Sequence, residues 1–203
     1  MDGATEANYK MMLQVIKFIF DTENYKLIMK TNGEINKMEI KGFCDSDFAG
    51  DLDTRRSVSG YIIYVNDCPL SWRSRGQKSV TLSSTEAEYV SISEIVVEIL
   101  FIKSIFEFMN VKFELPIKVH VDNIGAIFLA KKATTSNKTK HVDTRYHFIR
   151  EYIKKKQIII EFIRSEENDL DIMTKNLPEA PYWKHASKLI EEVKFENRKG
   201  VED

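Results

Sequence analysis

The sequence predicts an α/β protein: a mixed five-stranded sheet flanked by helices, with an antiparallel meander at one edge. Three observations predict it. Strand-like stretches follow one another closely at Met38–Phe48, Val58–Val65 and Leu70–Ser74, and Asn66, Asp67 and Pro69 make the last turn between them. One long apolar helix starts at Ser83 or Ser84 and reaches about Asn110. Two further strands, Ile117–Val121 and Gln157–Ile163, are then separated by helical sequence. The resulting order, β-β-β-α-β-α-α-β-α, gives a meander followed by crossover connections.

Each element has its own justification. Residues 7–20 place Met11, Met12, Val15, Ile16, Phe18 and Ile19 at amphipathic-helix spacing. Tyr25 to Met29 reads as a short strand before the turn residues Thr31-Asn32-Gly33. Val58 to Val65 is dominated by β-branched and aromatic residues. The long helix carries apolar residues around most of its circumference, which places it in the core. A short helix over Ile124–Lys131 and another from about His141 to Lys155 precede the last sheet strand, and Tyr182 to Val193 reads as a terminal helix. The polar tail from Glu196 is expected to fray.

The chain has 203 residues, enough for one large domain or a domain with an appendage. Its most apolar run, Ile92 to Met109, is interrupted by Glu94, Glu98, Lys103 and Glu107, so it reads as a buried helix and not a membrane span. The first residues lack the basic and apolar regions of a signal peptide. Cys44 and Cys68 are too few for a disulfide framework and read as reduced thiols. Net charge is −1, so nucleic-acid binding is not announced by bulk electrostatics. Charge is unevenly spread, however. Lys131, Lys132, Lys138, Lys140, Arg145, Arg150, Lys154, Lys155 and Lys156 are opposed only by Asp143 and Glu151. Such a run is usually a solvated helix face. Lying between two candidate ligands, this one also suits phosphate.

Those ligands are Asp45, Glu88, Asp122 and Asp171. Each stands at the end of a predicted element, so only a fold can bring them together. Hard oxygen donors suit Mg²⁺, and two such ions support in-line displacement at phosphorus.

Six blocks carry a resemblance. They are Asp45 to Asp51, Arg56 to Tyr61, Leu82 to Tyr89, Val121-Asp122-Asn123, Lys140 to Asp143 with Tyr146 to Arg150, and Asp171 to Lys175. In order and spacing, across about residues 38 to 178, they resemble the ribonuclease H domain of copia-type retrotransposon Pol polyproteins. Residues 8–30 resemble the end of the preceding reverse-transcriptase and connection region. The resemblance implies three parts: an N-terminal remnant over 1–35, a ribonuclease H-like domain over 36–178, and a C-terminal helix and tail over 179–203. It implies an endoribonuclease that hydrolyses the RNA strand of RNA–DNA hybrids. Asp45, Glu88, Asp122 and Asp171 would be its catalytic ligands for two Mg²⁺ ions, with Mn²⁺ as a substitute. Substrate contacts would come from Ser83, Ser84, Asn123, Arg56, Lys140, His141 and Arg145. Its partners would be the hybrid and the reverse-transcriptase domain of the same element. Its place would be cytoplasmic replication particles, with the nucleus as an alternative, and no membrane.

Some positions keep alternatives open. Glu86 shares a block with Glu88, but the two point roughly 200° apart on a helix, so one alone can face the metals. Glu88-Tyr89 fits the general pattern better than Glu86-Ala87. Asp47 lies two residues from Asp45, and Asp169 two from Asp171; each could compete with its neighbour. Retroviral relatives carry a histidine in a loop before the last Asp. Here Arg164-Ser165-Glu166-Glu167-Asn168 has none, and Glu166 or Glu167 is the candidate replacement.

Other features read more plainly. His141 and His147 lie about 240° out of phase on one helix and would not chelate a common ion. Asp45, Asp47, Asp51 and Asp53 lack the spacing of an EF-hand. Tyr61, Tyr64 and Trp72 read as core residues, and Arg55, Arg56, Arg73, Arg75 and Lys78, on or near loops, as cations within reach of phosphate. The competing functional class is a catalytically inactive Pol-derived remnant that serves as a nucleic-acid-binding or protein-interaction module. The intact set of four acids favours the enzyme. A transposase or integrase site would use three acids and a different last ligand.

Overall fold

Local chemistry sets the meander in the computed structural model, which describes residues 5–29, 38–51, 53–131 and 140–193, with the backbone alone over 140–146. Strand β2 (Ile40–Asp47) pairs antiparallel with β3 (Val58–Val65), and β3 pairs antiparallel with β4 (Cys68–Gly76). Asn66 and Asp67 both adopt positive φ in the tight β3–β4 turn, a conformation Asn and Asp tolerate better than most residues. Helix α2 (Ser84–Phe108) follows, with Ser83 as its N-cap. Strand β5 (Ile117–Val121), α3 (Ile124–Lys131), α4 (Lys140–Lys154) and β6 (Ile158–Phe162) complete the alternation. A 3₁₀ turn at Ser165–Glu167 and a single turn of helix, α5 (Asp171–Thr174), come next.

The sheet order is β4-β3-β2-β5-β6, with β2, β5 and β6 mutually parallel. This is the mixed five-stranded, ribonuclease H-like sheet that the sequence predicts. Strand β3 is buried on both faces, as the successive residues Ile62 and Ile63 show, whereas β5 and β6 each bury one face, through Val119 and Val121 and through Ile158 and Ile160. Helix α2 buries Ala87, Tyr89, Ile92, Ile95, Val96 and Ile99 against one face. Gly42 lies directly under that helix: a Cβ there would stand 2.5 Å from Ile95 Cδ1, so the Ile95 side chain would have to shift.

The described residues fall into two compact units, one within residues 29–186 and one formed by residues 5–28 with 187–193. The first contains the five-stranded sheet and most of α6 (Glu179–Leu189). In the second, α1 (Glu6–Asp21) has Thr5 as N-cap and buries none of its residues. There, β1 (Tyr25–Leu27) pairs antiparallel with β7 (Ile190–Glu192).

Two expectations change. The terminal helix predicted to run to Val193 ends at Leu189, because Ile190–Glu192 exchange helical bonds for pairing with β1. Trp72 is 51% exposed and not a core residue, because β4 is the edge strand and its outer positions have no covering layer. Tyr61 and Tyr64 are buried as expected.

Candidate active site

Parallel pairing places two acids side by side. Phe43 on β2 is in register with His120 on β5, and two residues further along each strand stand Asp45 and Asp122. Side chains alternate along a strand, so both fall on the same face at the strands' C-terminal ends. Helix α2 adds Glu88 from its second turn. It is fixed by Ser91, whose hydroxyl donates to the carbonyls of Asp45 (2.8 Å) and Gly60 (3.0 Å). One carboxylate oxygen from each of Asp45, Glu88 and Asp122 lies within 4.8 Å of the other two.

Each acid is held by its own donor. The Ser46 backbone N–H and hydroxyl donate to Glu88 Oε1 at 2.9 and 3.0 Å. Ser165 Oγ donates to Asp122 Oδ2 at 2.6 Å. Thr174 Oγ1 donates to Asp45 Oδ2 in a short bond. Glu88 Oε2 is buried and has no hydrogen-bond partner among the described residues. A buried oxygen without a donor is costly unless a proton or cation meets it.

Electrostatics point the same way. Burial, and then the charges of Asp45 and Asp122, push the Glu88 carboxyl up to about 9, against the opposing pull of the Ser46 donors. Burial, with the same three carboxylates, also raises Cys44 well above the ordinary thiol range. That thiol is 0% exposed and belongs to the core of the sheet. Three clustered carboxylates, one with an orphaned oxygen, are a donor set that fits a hard divalent cation such as Mg²⁺ or Mn²⁺.

Asp171 stands outside this triangle and joins it through Lys175. Lys175 Nζ donates to Asp171 Oδ1 at 2.7 Å and to Asp45 Oδ1 at 3.3 Å. Burial acts to lower the Lys175 pKa, but the bonds and charges of Asp171 and Asp45 outweigh it and hold the ammonium above its usual range. The segment is seated by Asn168, whose Nδ2 donates to the Cys44 carbonyl at 3.2 Å. Gly60 leaves room for it: a Cβ there would stand 2.7 Å from Thr174 Cγ2.

The competing acids have other work. Glu86 Oε2 accepts from the Leu82 N–H at 2.9 Å and so closes the start of α2. Asp169 pairs with buried His185, Oδ1 to Nδ1 at 3.0 Å. Asp47 is half-buried at the end of β2, outside the triangle. Of the expected substrate-facing residues, Ser83 caps α2 by accepting from Glu86 N, and Ser84 is exposed beside it. Asn123 Oδ1 accepts from Ala126 N at 2.9 Å and caps α3. Arg56 is exposed on the β2–β3 loop. The side chains of Lys140, His141 and Arg145 lie outside the described residues.

Ser46, Ser165, Thr174 and His185 make these contacts with no local sequence signal to announce them. For Lys175 a signal existed: it lies four residues after Asp171, the spacing at which an acid and a base meet on one helix face.

No protein-family model matches the chain. It is 30% identical over 189 residues to the retrovirus-related Pol polyprotein from transposon RE1 of Arabidopsis thaliana, covering 93% of the chain and 13% of that polyprotein. It is 37% identical over 139 residues to the corresponding polyprotein from transposon TNT 1-94 of Nicotiana tabacum, covering 68% of the chain and 10% of that polyprotein. The chain therefore spans about a tenth of the length of these relatives. Among solved structures it is similar to LC11-RNase H1, isolated from compost, with TM-score 0.45 and 12% identity over 64% of this chain and 87% of that one.

Proposed function

The chain is a ribonuclease H-like domain homologous to a region of copia-type retrotransposon Pol polyproteins, and from that premise we propose that it hydrolyses the RNA strand of RNA–DNA hybrids during reverse transcription. The observation that carries this reading is the triangle of Asp45, Glu88 and Asp122, with carboxylate oxygens within 4.8 Å of one another.

Asp45, Glu88, Asp122 and Asp171 are the residues proposed to hold two Mg²⁺ ions, with Mn²⁺ as substitute. When bound, such ions supply Lewis-acid chemistry for in-line displacement at phosphorus. The protein's own part is arrangement. Ser46, Ser165 and Thr174 each fix one carboxylate, so the cluster is set before substrate arrives. The 1% exposure of Asp45 removes water that would otherwise screen its charge.

Arg56, Ser83, Ser84 and Asn123, with Lys140, His141 and Arg145, are proposed to contact the hybrid. Discrimination of RNA from DNA would rest on 2′-OH contacts and groove shape, not on base sequence. Residues 1–35 are proposed to be the end of the reverse-transcriptase connection region, which makes the polymerase domain of the same element the natural partner. Cytoplasmic replication particles are the proposed compartment, with the nucleus as the alternative.

The test is cleavage of a labelled RNA–DNA hybrid by purified protein with Mg²⁺, with Mn²⁺ and with EDTA, beside Asp45→Asn. Metal-dependent cutting, lost in the variant, is the expected result. Failure of a folded wild-type protein to cut with either metal would overturn the reading and favour a remnant that binds without hydrolysing.

A further inference from the structure

We propose that Lys175 is a built-in counter-cation of the acidic cluster, which competes for Asp45 and Asp171 with the divalent ions the site takes and must leave before those two carboxylates can share one. The inference rests on the preceding reading only in requiring that the cluster bind divalent ions.

Asp171 and Lys175 are four residues apart across the single turn of α5, so both side chains project on one side of it. From there Nζ reaches Oδ1 of Asp171 at 2.7 Å and Oδ1 of Asp45 at 3.3 Å. The ammonium thus sits between the two carboxylates. A divalent ion bound by both would lie about 2 Å from the same atoms, where its charge and that of the ammonium repel strongly.

Thr174 touches the same Asp45 with a different consequence. Its hydroxyl occupies one lone-pair site on Oδ2, and a carboxylate oxygen has another to offer. Thr174 is therefore compatible with a bound ion, and Lys175 is not. The exposure of the side chains also differs: Lys175 is 34% exposed and Asp45 is 1% exposed. The ammonium has solvent on one side into which it can withdraw, whereas the carboxylate has not. In the metal-free protein Lys175 supplies positive charge to Asp45 and Asp171.

Two measurements on the full chain test this without nucleic acid. Calorimetric titration with Mn²⁺ compares wild type with Lys175→Met and Lys175→Arg. Lys175→Met should bind Mn²⁺ at least about fivefold more tightly, the low end of ordinary coupling between ligands. Its thermal midpoint in EDTA should fall, and Lys175→Arg should stay near wild type in both. Equal or weaker Mn²⁺ binding by Lys175→Met overturns the proposal.

Should Lys175→Met fail to fold, the wild-type protein gives the second readout. Acetylation of lysines with an amine-reactive ester, read by mass spectrometry, should label Lys175 more on adding Mn²⁺ as the ammonium is displaced. Labelling that is unchanged or falls overturns the proposal. Hybrid cleavage without these effects defeats the counter-cation alone. These effects without cleavage defeat only the ribonuclease reading. Absence of Mn²⁺ binding by every variant defeats both.

Discussion

The Glu88 carboxyl has an ordinary value of 4.5 and is pushed up to about 9 in the folded, metal-free protein. A raised folded value means that the native state binds the proton more tightly than the unfolded chain. Its contribution is fully present at low pH and is lost progressively as pH rises from about 4.5 to about 9. Thermal melting in EDTA should therefore show stability falling across that window, and Glu88→Gln should flatten the fall. A slope of the same size in the variant would sink the assignment. A divalent ion must displace the same proton, so apparent metal affinity should rise over the same range. Asp122→Asn removes one of the charges acting on Glu88. It should raise the metal-free melting midpoint slightly while lowering hybrid cleavage at least about a hundredfold. Cleavage at the wild-type rate would remove Asp122 from the site. At this scale the acids themselves were legible, because their blocks of neighbours mark them. Their donors were not: Thr174 meets Asp45, and Asn168 meets the Cys44 carbonyl, across more than a hundred residues of chain. Nothing local in Thr or Asn announces such a partner.

Between elements, glycine decides how closely two layers approach. At Gly42 the added Cβ would meet Ile95 Cδ1, the far end of a flexible side chain, which can turn aside. At Gly60 it would meet Thr174 Cγ2 at 2.7 Å and Leu170 Cδ2 at 3.4 Å, and Thr174 is tied to Asp45. Gly60→Ala should cost roughly 1–3 kcal/mol in urea unfolding. It should also weaken Mn²⁺ binding, whereas Gly42→Ala should affect stability alone. If the two variants lost metal affinity equally, α5 would not be the element that sets the cluster. The strands and α2 were readable from β-branched runs and a capped apolar stretch. The C-terminal boundary was not, since Ile190–Glu192 become a strand only through pairing with Tyr25–Leu27, far away in sequence. Trp72 misled for a similar reason, because a β-favouring aromatic gives no sign that its strand will be the uncovered edge.

For the whole molecule, the net charge is −1. The proposed hybrid contacts include three full cations, Arg56, Lys140 and Arg145, so few phosphates would be neutralised at once whatever the net charge. Anisotropy of a labelled hybrid with Ca²⁺ present should give a shallow salt dependence, with a log–log slope smaller in magnitude than about 5. A steeper slope would mean that a basic surface larger than the one proposed engages the duplex. Among the described residues no helix is long and apolar enough to cross a membrane. The sheet order was legible in outline because three strands in succession, then alternation with helices, leave few ways to arrange five strands. The pairing of β1 with β7 was not, since it depends on which distant segments close on one another.

Cys44 adjoins Asp45 and is wholly enclosed, while Cys68 is only half-buried. The two thiols therefore form a natural pair of clocks. A disulfide reagent added to the native protein should consume Cys68 promptly. Cys44 should react only when β2 parts from its neighbours and lets reagent reach the centre of the sheet. Its rate of modification would then time the opening of the strand that carries the first acid, in a protein with no engineered label.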